Sequence, residues 1–140
     1  MSRKVKTGKV RLQTTDGRTA IINNASPMQI YFQHVHENDA NANAATIYRV
    51  MVSRGVVHVA FAFKCENSSY FLCVENSEVK LRKSEELPAE KKFFFKLELE
   101  RETAKYVVSV AQPGCYLITE DSLLTIGTNK SPPSSRLFRL

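Results

Sequence analysis

The chain has 140 residues, 43% of them hydrophobic and 24% charged, with no Trp and a formal net charge of +6. Those proportions are ordinary for a globular domain and exclude collagen-like, low-complexity and disulfide-scaffold chains. The length suits one domain, burying roughly two-thirds of its unfolded surface, and no apolar run approaches a membrane span, so no membrane insertion is expected.

Residues 1–11 (MSRKVKTGKVR) hold Arg3, Lys4, Lys6, Lys9 and Arg11 and no acid. The rest of the chain carries 15 basic and 14 acidic residues, so almost all the excess charge sits at this end. Residues 1–8 read as a flexible basic arm suited to anionic surfaces such as heparan sulfate, nucleic acid or an acidic receptor face. Residues 9–140 read as the folded domain. The N-terminus lacks the apolar segment of a signal peptide. A leaderless protein is expected, made in the cytoplasm and released outside the cell, with a nuclear pool if the arm acts as an address. A mature piece of a longer precursor fits equally.

Residues 9–14 (KVRLQT) alternate Val10 and Leu12 with polar side chains. They read as a first strand, because successive side chains of a pleated backbone point to opposite faces. Asp16-Gly17 marks a hairpin, and residues 19–22 return. Residues 29–35 and 47–52 give two more strands, separated by a polar Asn/Ala loop at 37–45. After Ser53-Arg54-Gly55, residues 56–64 alternate most clearly. Val57, Val59, Phe61 and Phe63 fall on one face and His58, Ala60, Ala62 and Lys64 on the other. Strands at 70–74 and 79–82 follow, then a charged loop, 83–92, interrupted by Pro88. In 93–99, Phe93, Phe95, Leu97 and Leu99 share a face; in 106–110, Tyr106, Val108 and Val110 do. These odd-numbered Phe and Leu and even-numbered Tyr and Val are expected to face the core. Pro113-Gly114 sets a turn, and short strands at 116–118, 123–126 and 137–140 complete the set.

About twelve short strands with no helical period imply an all-β barrel or sandwich. They group as four in 10–52, four in 56–99 and four in 106–140, a threefold repeat of four-strand units. A β-trefoil has this organisation. A jelly roll or an immunoglobulin-like sandwich competes, the latter without its Cys…Trp…Cys pattern here.

Little in the chain suggests chemistry. His34 and His36 would share a strand face, but no third metal ligand stands at a recognisable spacing, and two exposed histidines at a strand end is the better reading. Cys65, Cys73 and Cys115 are an odd set without scaffold spacing and read as reduced thiols, with one Cys65–Cys73 bridge left open. There is no glycine-rich phosphate loop, serine elbow or acidic metal cluster. A non-enzymatic protein without cofactor or metal is expected, with function on loops held by a rigid scaffold.

Residues 107–119 (VVSVAQPGCYLIT) resemble the signature of the interleukin-1 family through Ser109, Pro113, Tyr116, Leu117 and Thr119, while Val107 and Ile118 depart from it. Residues 63–76 look like the corresponding hairpin of interleukin-18, and 78–95 and 113–126 look more like interleukin-33, placing the chain nearest that branch. The resemblance implies a twelve-stranded β-trefoil cytokine, monomeric, that engages an immunoglobulin-domain receptor of interleukin-1-receptor type and then an accessory chain. It also implies that the first-hairpin loop belongs to the receptor surface, which by position is Arg11, Gln13, Thr15, Asp16 and Arg18. Further candidates, chosen for charge and loop position, are Glu37, Asp39, Lys83, Glu85, Glu86, Glu120, Asp121 and Lys130. Two alternatives remain: a receptor antagonist of the same family, and a heparin- or glycan-binding trefoil of fibroblast-growth-factor type, motivated by the basic arm.

Overall fold

A computed structural model describes residues 4–36, 44–100 and 103–140. The strands are β1 (Val5–Val10), β2 (Gln13–Thr14), β3 (Thr19–Asn23), β4 (Gln29–Gln33), β5 (Ala45–Ser53), β6 (Val56–Cys65) and β7 (Ser68–Glu75). Then come β8 (Glu78–Lys83), β9 (Phe95–Leu99), β10 (Ala104–Ser109), β11 (Tyr116–Glu120), β12 (Leu123–Gly127) and β13 (Leu137–Arg139). β1 and β2 are one run of chain broken at Arg11-Leu12, so twelve strands of the fold appear as thirteen segments.

Pairing closes a barrel. β1 pairs with β5, β5 with β6, β6 with β9, β9 with β10, β10 with β13, and β13 with β2, all antiparallel. Closure removes the open edges that would otherwise template aggregation. Three hairpins branch from it at equivalent places: β3–β4 from β2, β7–β8 from β6 and β11–β12 from β10. This threefold pattern of six barrel strands and three hairpins is a β-trefoil. The tight turns Glu66-Asn67, Asn76-Ser77 and Asp121-Ser122 hold both residues at positive φ. That turn matches the right-handed twist of the flanking strands, and Asn and Asp tolerate it best among non-glycine residues.

The barrel interior is filled by Leu12, Ile47, Phe61, Phe95, Val107, Leu117 and Phe138, each at most 1% exposed. Phe61 and Phe95 rings stand 6.0 Å apart, and Phe32 and Phe138 5.7 Å. A second apolar cluster lies outside the barrel wall: Val50, Ala60, Ala62, Phe71, Cys73, Phe93 and Phe94, joined by Leu87 of the 83–92 loop. Residues 59–63 are therefore buried on both faces, large side chains inward and alanines against the second cluster. The small alanines on the outer face let Phe71, Phe93 and Phe94 pack close to the wall.

Several expectations need correction. The basic arm does not extend through residue 8. Val5–Val10 is a strand, with Val5 opposite Val50 and Val10 opposite Ala45, because β5 offers a row of backbone donors and acceptors that this segment satisfies. In β10 the barrel-facing residue is Val107, not Tyr106, Val108 or Val110. It sits directly opposite Leu97, and cross-strand partners share a face. Phe93 belongs to the second cluster, lifted out of strand by a 3₁₀ turn at Lys91–Phe93, and Leu99 is 67% exposed. A four-residue helix, Pro133–Arg136, adds a second helical turn that the sequence did not signal. Cys65 lies opposite Ser68 and Cys73 opposite Lys80, and all three cysteines are free thiols, so the Cys65–Cys73 bridge is absent.

Candidate functional site

The first hairpin loop is internally cross-bonded. Thr14 N donates to Arg18 O at 2.9 Å, and Gly17 N donates to Thr14 O at 3.0 Å. Gly17 takes φ of 90°, which a residue with a side chain rarely adopts. Thr14 Oγ1 donates to Asp16 Oδ1 and accepts from Arg18 N. Arg18 Nε reaches both carboxylate oxygens of Asp16, at 3.2 and 3.1 Å. The Thr14 hydroxyl, then the Arg18 guanidinium, hold the Asp16 carboxyl below its usual range. Asp16 thus stays ionised and 62% exposed at the loop tip, on a backbone fixed by its neighbours.

Arg18 also ties the loop to the third unit of the fold, since its Nη1 donates to Ser122 Oγ at 2.9 Å across 104 residues of sequence. Ser122 O in turn accepts from Phe32 N at 2.8 Å, so the β11–β12 turn is held between the first hairpin and β4. Thr15, Asp16 and Arg18 share a shallow concavity of about 270 Å³ with Thr119, Ser134 and Ser135. Glu120 and Asp121 stand exposed on the turn beside it. Lys130 lies in the loop leading to the Pro133–Arg136 helix, where Thr128 N donates to Ser131 Oγ and Lys130 N to Thr128 Oγ1, each at 3.1 Å.

The structure therefore brings Thr15, Asp16 and Arg18 together with Thr119, Ser134 and Ser135, with Glu120 and Asp121 on the turn between Thr119 and the Arg18 partner Ser122, and Lys130 in the loop before the helix that carries Ser134 and Ser135. Arg11 is exposed and Gln13 half-buried on the same barrel strand, Gln13 Nε2 donating to Thr19 Oγ1 at 3.2 Å. Lys83, Glu85 and Glu86 are exposed in the second unit, on and after β8, apart from this concavity. Glu37 and Asp39 fall outside the described residues. Ser122, Ser134 and Ser135 escaped sequence reading, and Thr119 was read only as part of the signature, because uncharged hydroxyls give no binding signal until the fold gathers them near Arg18.

A separate charged cluster anchors the 83–92 loop. Glu75 on β7 receives Arg82 Nη2 at 2.5 Å and Lys92 Nζ at 2.8 Å. These two hydrogen-bonded cations pull the Glu75 carboxyl down to about 2. Burial, and the neighbouring Glu75 charge, push the Cys73 thiol up to about 11, so this cysteine is protonated at neutral pH and a poor nucleophile. His34 and His36 are exposed just past β4. Among the described residues no group of three or more His, Cys, Asp or Glu side chains is placed to hold a metal ion.

No family model and no curated protein matches the sequence. Among solved structures, an interleukin-1 beta variant from Gallus superposes with a TM-score of 0.73 at 11% identity, covering 99% of this chain and 98% of that one. A designed threefold-symmetric protein, ThreeFoil, matches with a TM-score of 0.61 at 13% identity over 95% of this chain and 96% of its own. A GlcNAcα1-4Gal-releasing endo-β-galactosidase from Clostridium perfringens matches with a TM-score of 0.65 at 11% identity, over 94% of this chain but 31% of the enzyme. The β-trefoil resembles that of interleukin-1 cytokines and is shared with other proteins, and at these identities the likeness is one of fold.

Proposed function

We propose that the protein is a non-enzymatic signalling ligand of interleukin-1 type that binds the immunoglobulin domains of a receptor and then an accessory chain. The observation that carries this reading is the end-to-end overlay on interleukin-1 beta, which covers 99% of this chain and 98% of that one. The sequence signature at Ser109, Pro113, Tyr116, Leu117 and Thr119 supports it independently. The recognition surface is the concavity of Thr15, Asp16 and Arg18, rimmed by Glu120 and Asp121. Its loops are pre-organised by Arg18, so little ordering entropy is lost on docking. Asp16, Glu120 and Asp121 against the base Arg18 suit a polar receptor face of complementary, largely basic charge. Action outside the cell is part of the same proposal.

The test is a binding panel of immunoglobulin-domain receptor ectodomains against the native chain and its Arg18→Ala variant, with a heparin column run in parallel. Saturable binding to one ectodomain, weakened at least about tenfold by Arg18→Ala, is expected, since a few anchors dominate such interfaces. Heparin retention with no ectodomain bound by the folded chain would replace this reading with a glycan-binding trefoil.

A further inference from the structure

Among the described residues the exposed large apolar side chains, Leu99 apart, gather at the tip of the β5–β6 hairpin with the start of β1. Val5, Met51, Val52, Val56 and Val57 are each between 38% and 45% exposed. They do not form a single face. Met51 lies opposite Val57 and shares its side of the sheet. Val5 lies opposite Val50, and Val50 opposite His58, so Val5 belongs with Val56 on the other side. The hairpin tip is thus apolar on both faces. A concavity of about 190 Å³ lined by Val52, Phe94 and Val110 extends the outer face.

The charges around it are predominantly cationic, with Glu90, paired to Lys92, as an acid beside Lys91. Lys4, Lys6, Arg49, Arg54 and Lys91 are exposed around the tip, Lys6 directly opposite Arg49. Residues 4–15 and 44–65, which make up the β1–β5–β6 sheet, contain no Asp or Glu. Met51 N donates to Lys4 O at 3.1 Å, so the first of these cations is fixed to the hairpin.

We propose that this tip seats the protein on an anionic lipid bilayer by shallow insertion between headgroups. A flat protein partner would cover one face of the hairpin and leave the other wet. The headgroup–acyl boundary surrounds an inserted element and removes water from both faces at once. The flanking Lys and Arg keep their charges at the acidic headgroups while their stems lie along the apolar boundary. No helix among the described residues is long and apolar enough to cross a membrane, and this contact needs none. The tip lies at the opposite end of the first barrel strand from Thr14, nine residues of strand or ~30 Å away. A molecule held on a bilayer therefore keeps the Thr15–Arg18 surface open.

The absence of Trp gives a silent optical background, so Val56→Trp supplies a single reporter at the tip. The full chain is mixed with vesicles of phosphatidylcholine alone, or of phosphatidylcholine and phosphatidylserine in equal parts. With the mixed vesicles, the Trp emission shifts to the blue and is quenched by brominated acyl chains; with phosphatidylcholine alone it does not move. Co-sedimentation of the chain without Trp shows the same selectivity. Arg54→Gln lowers partitioning about fivefold, the worth of one cation at an acidic surface. Met51→Ser with Val57→Ser lowers it at least about tenfold through lost apolar burial. A urea midpoint close to that of the parent shows that each variant is folded. Adsorption that survives the serine pair with an unshifted Trp spectrum would be charge attraction alone and overturns the insertion. No partitioning into the mixed vesicles by the folded chain also overturns it, and leaves an acidic protein surface as the occupant.

Discussion

Replacing Glu75 by Gln removes the carboxylate that pairs with Arg82 on β8 and with Lys92 at the end of the 83–92 loop, tying that loop to the β7–β8 hairpin. Gln keeps the shape but cannot attract Arg82 and Lys92 as a charge does. The Glu75 carboxyl is lowered from its ordinary 4.5 to about 2, which would correspond to roughly 3 kcal/mol if all of it reported folding. Arg82 is 51% and Lys92 36% exposed, so solvent screens both pairs and the realised share is about 1–2 kcal/mol. The sign follows from the direction of the shift. The unfolded chain takes up the proton near 4.5, whereas the folded one does not until about 2. The stabilisation is therefore complete above the higher value and is lost as pH falls toward the lower. Urea unfolding of parent and variant, followed by circular dichroism, should show a gap of about 1–2 kcal/mol at neutral pH that closes between pH 4.5 and 2. Added salt should narrow it at neutral pH. A gap that is absent at neutral pH, or that persists undiminished at the acid end, would refute the assignment of Glu75 as an ionised clasp.

Two other perturbations read the packing directly. A Cβ at Gly127 would press on Ser131 Oγ and lie 2.8 Å from both Ile118 Cδ1 and Cγ2, so Gly127→Ala should cost about 1–3 kcal/mol by overpacking, measured as a lowered urea midpoint; an unchanged midpoint would show that the 128–131 turn moves freely aside. Iodoacetamide at mildly alkaline pH should modify the half-buried Cys65 and Cys115 in the native protein and leave the fully buried Cys73 for the unfolded state, and three adducts forming at one rate in the native chain, by mass spectrometry, would contradict the burial of Cys73.

The architecture was legible in the sequence because hairpin turns and alternation are local. Gly17, Gly55 and the Asn76-Ser77 pair take positive φ in their turns, and between such turns the strand count gives the trefoil. Facing was legible only where one parity is apolar. Residues 106–110 offer Tyr106, Val108 and Val110 on one parity and Val107 on the other, so alternation could not tell that pairing with Leu97 turns Val107 inward. Residues 59–63 read as one-sided because Ala60 and Ala62 look neutral, although a second cluster covers them. The candidate site was half legible. Position on the first hairpin pointed to Thr15, Asp16 and Arg18, but the Arg18–Ser122 bond spans 104 residues and exists only once the barrel closes. The first half of the Val5–Val10 strand, residues 5–8, was hidden because those residues look like a solvated basic tail until β5 supplies a partner.

Of the residues that carry the family resemblance, Ser109, Tyr116 and Leu117 serve the fold, while Thr119 also lines the concavity with Arg18. Ser109 is 3% exposed, its Oγ accepting from Gln112 N at 3.0 Å while its own N–H donates to Cys115 O at 2.9 Å. That pair of bonds sets the turn that Pro113 and Gly114 occupy. Leu117 is fully buried in the barrel, and Tyr116 packs edge-on to Tyr106 with the Arg136 guanidinium over both rings, at 4.7 Å from Tyr106 and 5.2 Å from Tyr116. Each of these residues shapes the β10–β11 corner and its junction with the Pro133–Arg136 helix. Two chains can therefore share the motif, and with it the fold, while differing at every exposed position. Under the proposed function receptor choice resides in the hydroxyls and charges around Arg18, and the proposed bilayer contact resides in the acid-free hairpin at the opposite end of the first strand.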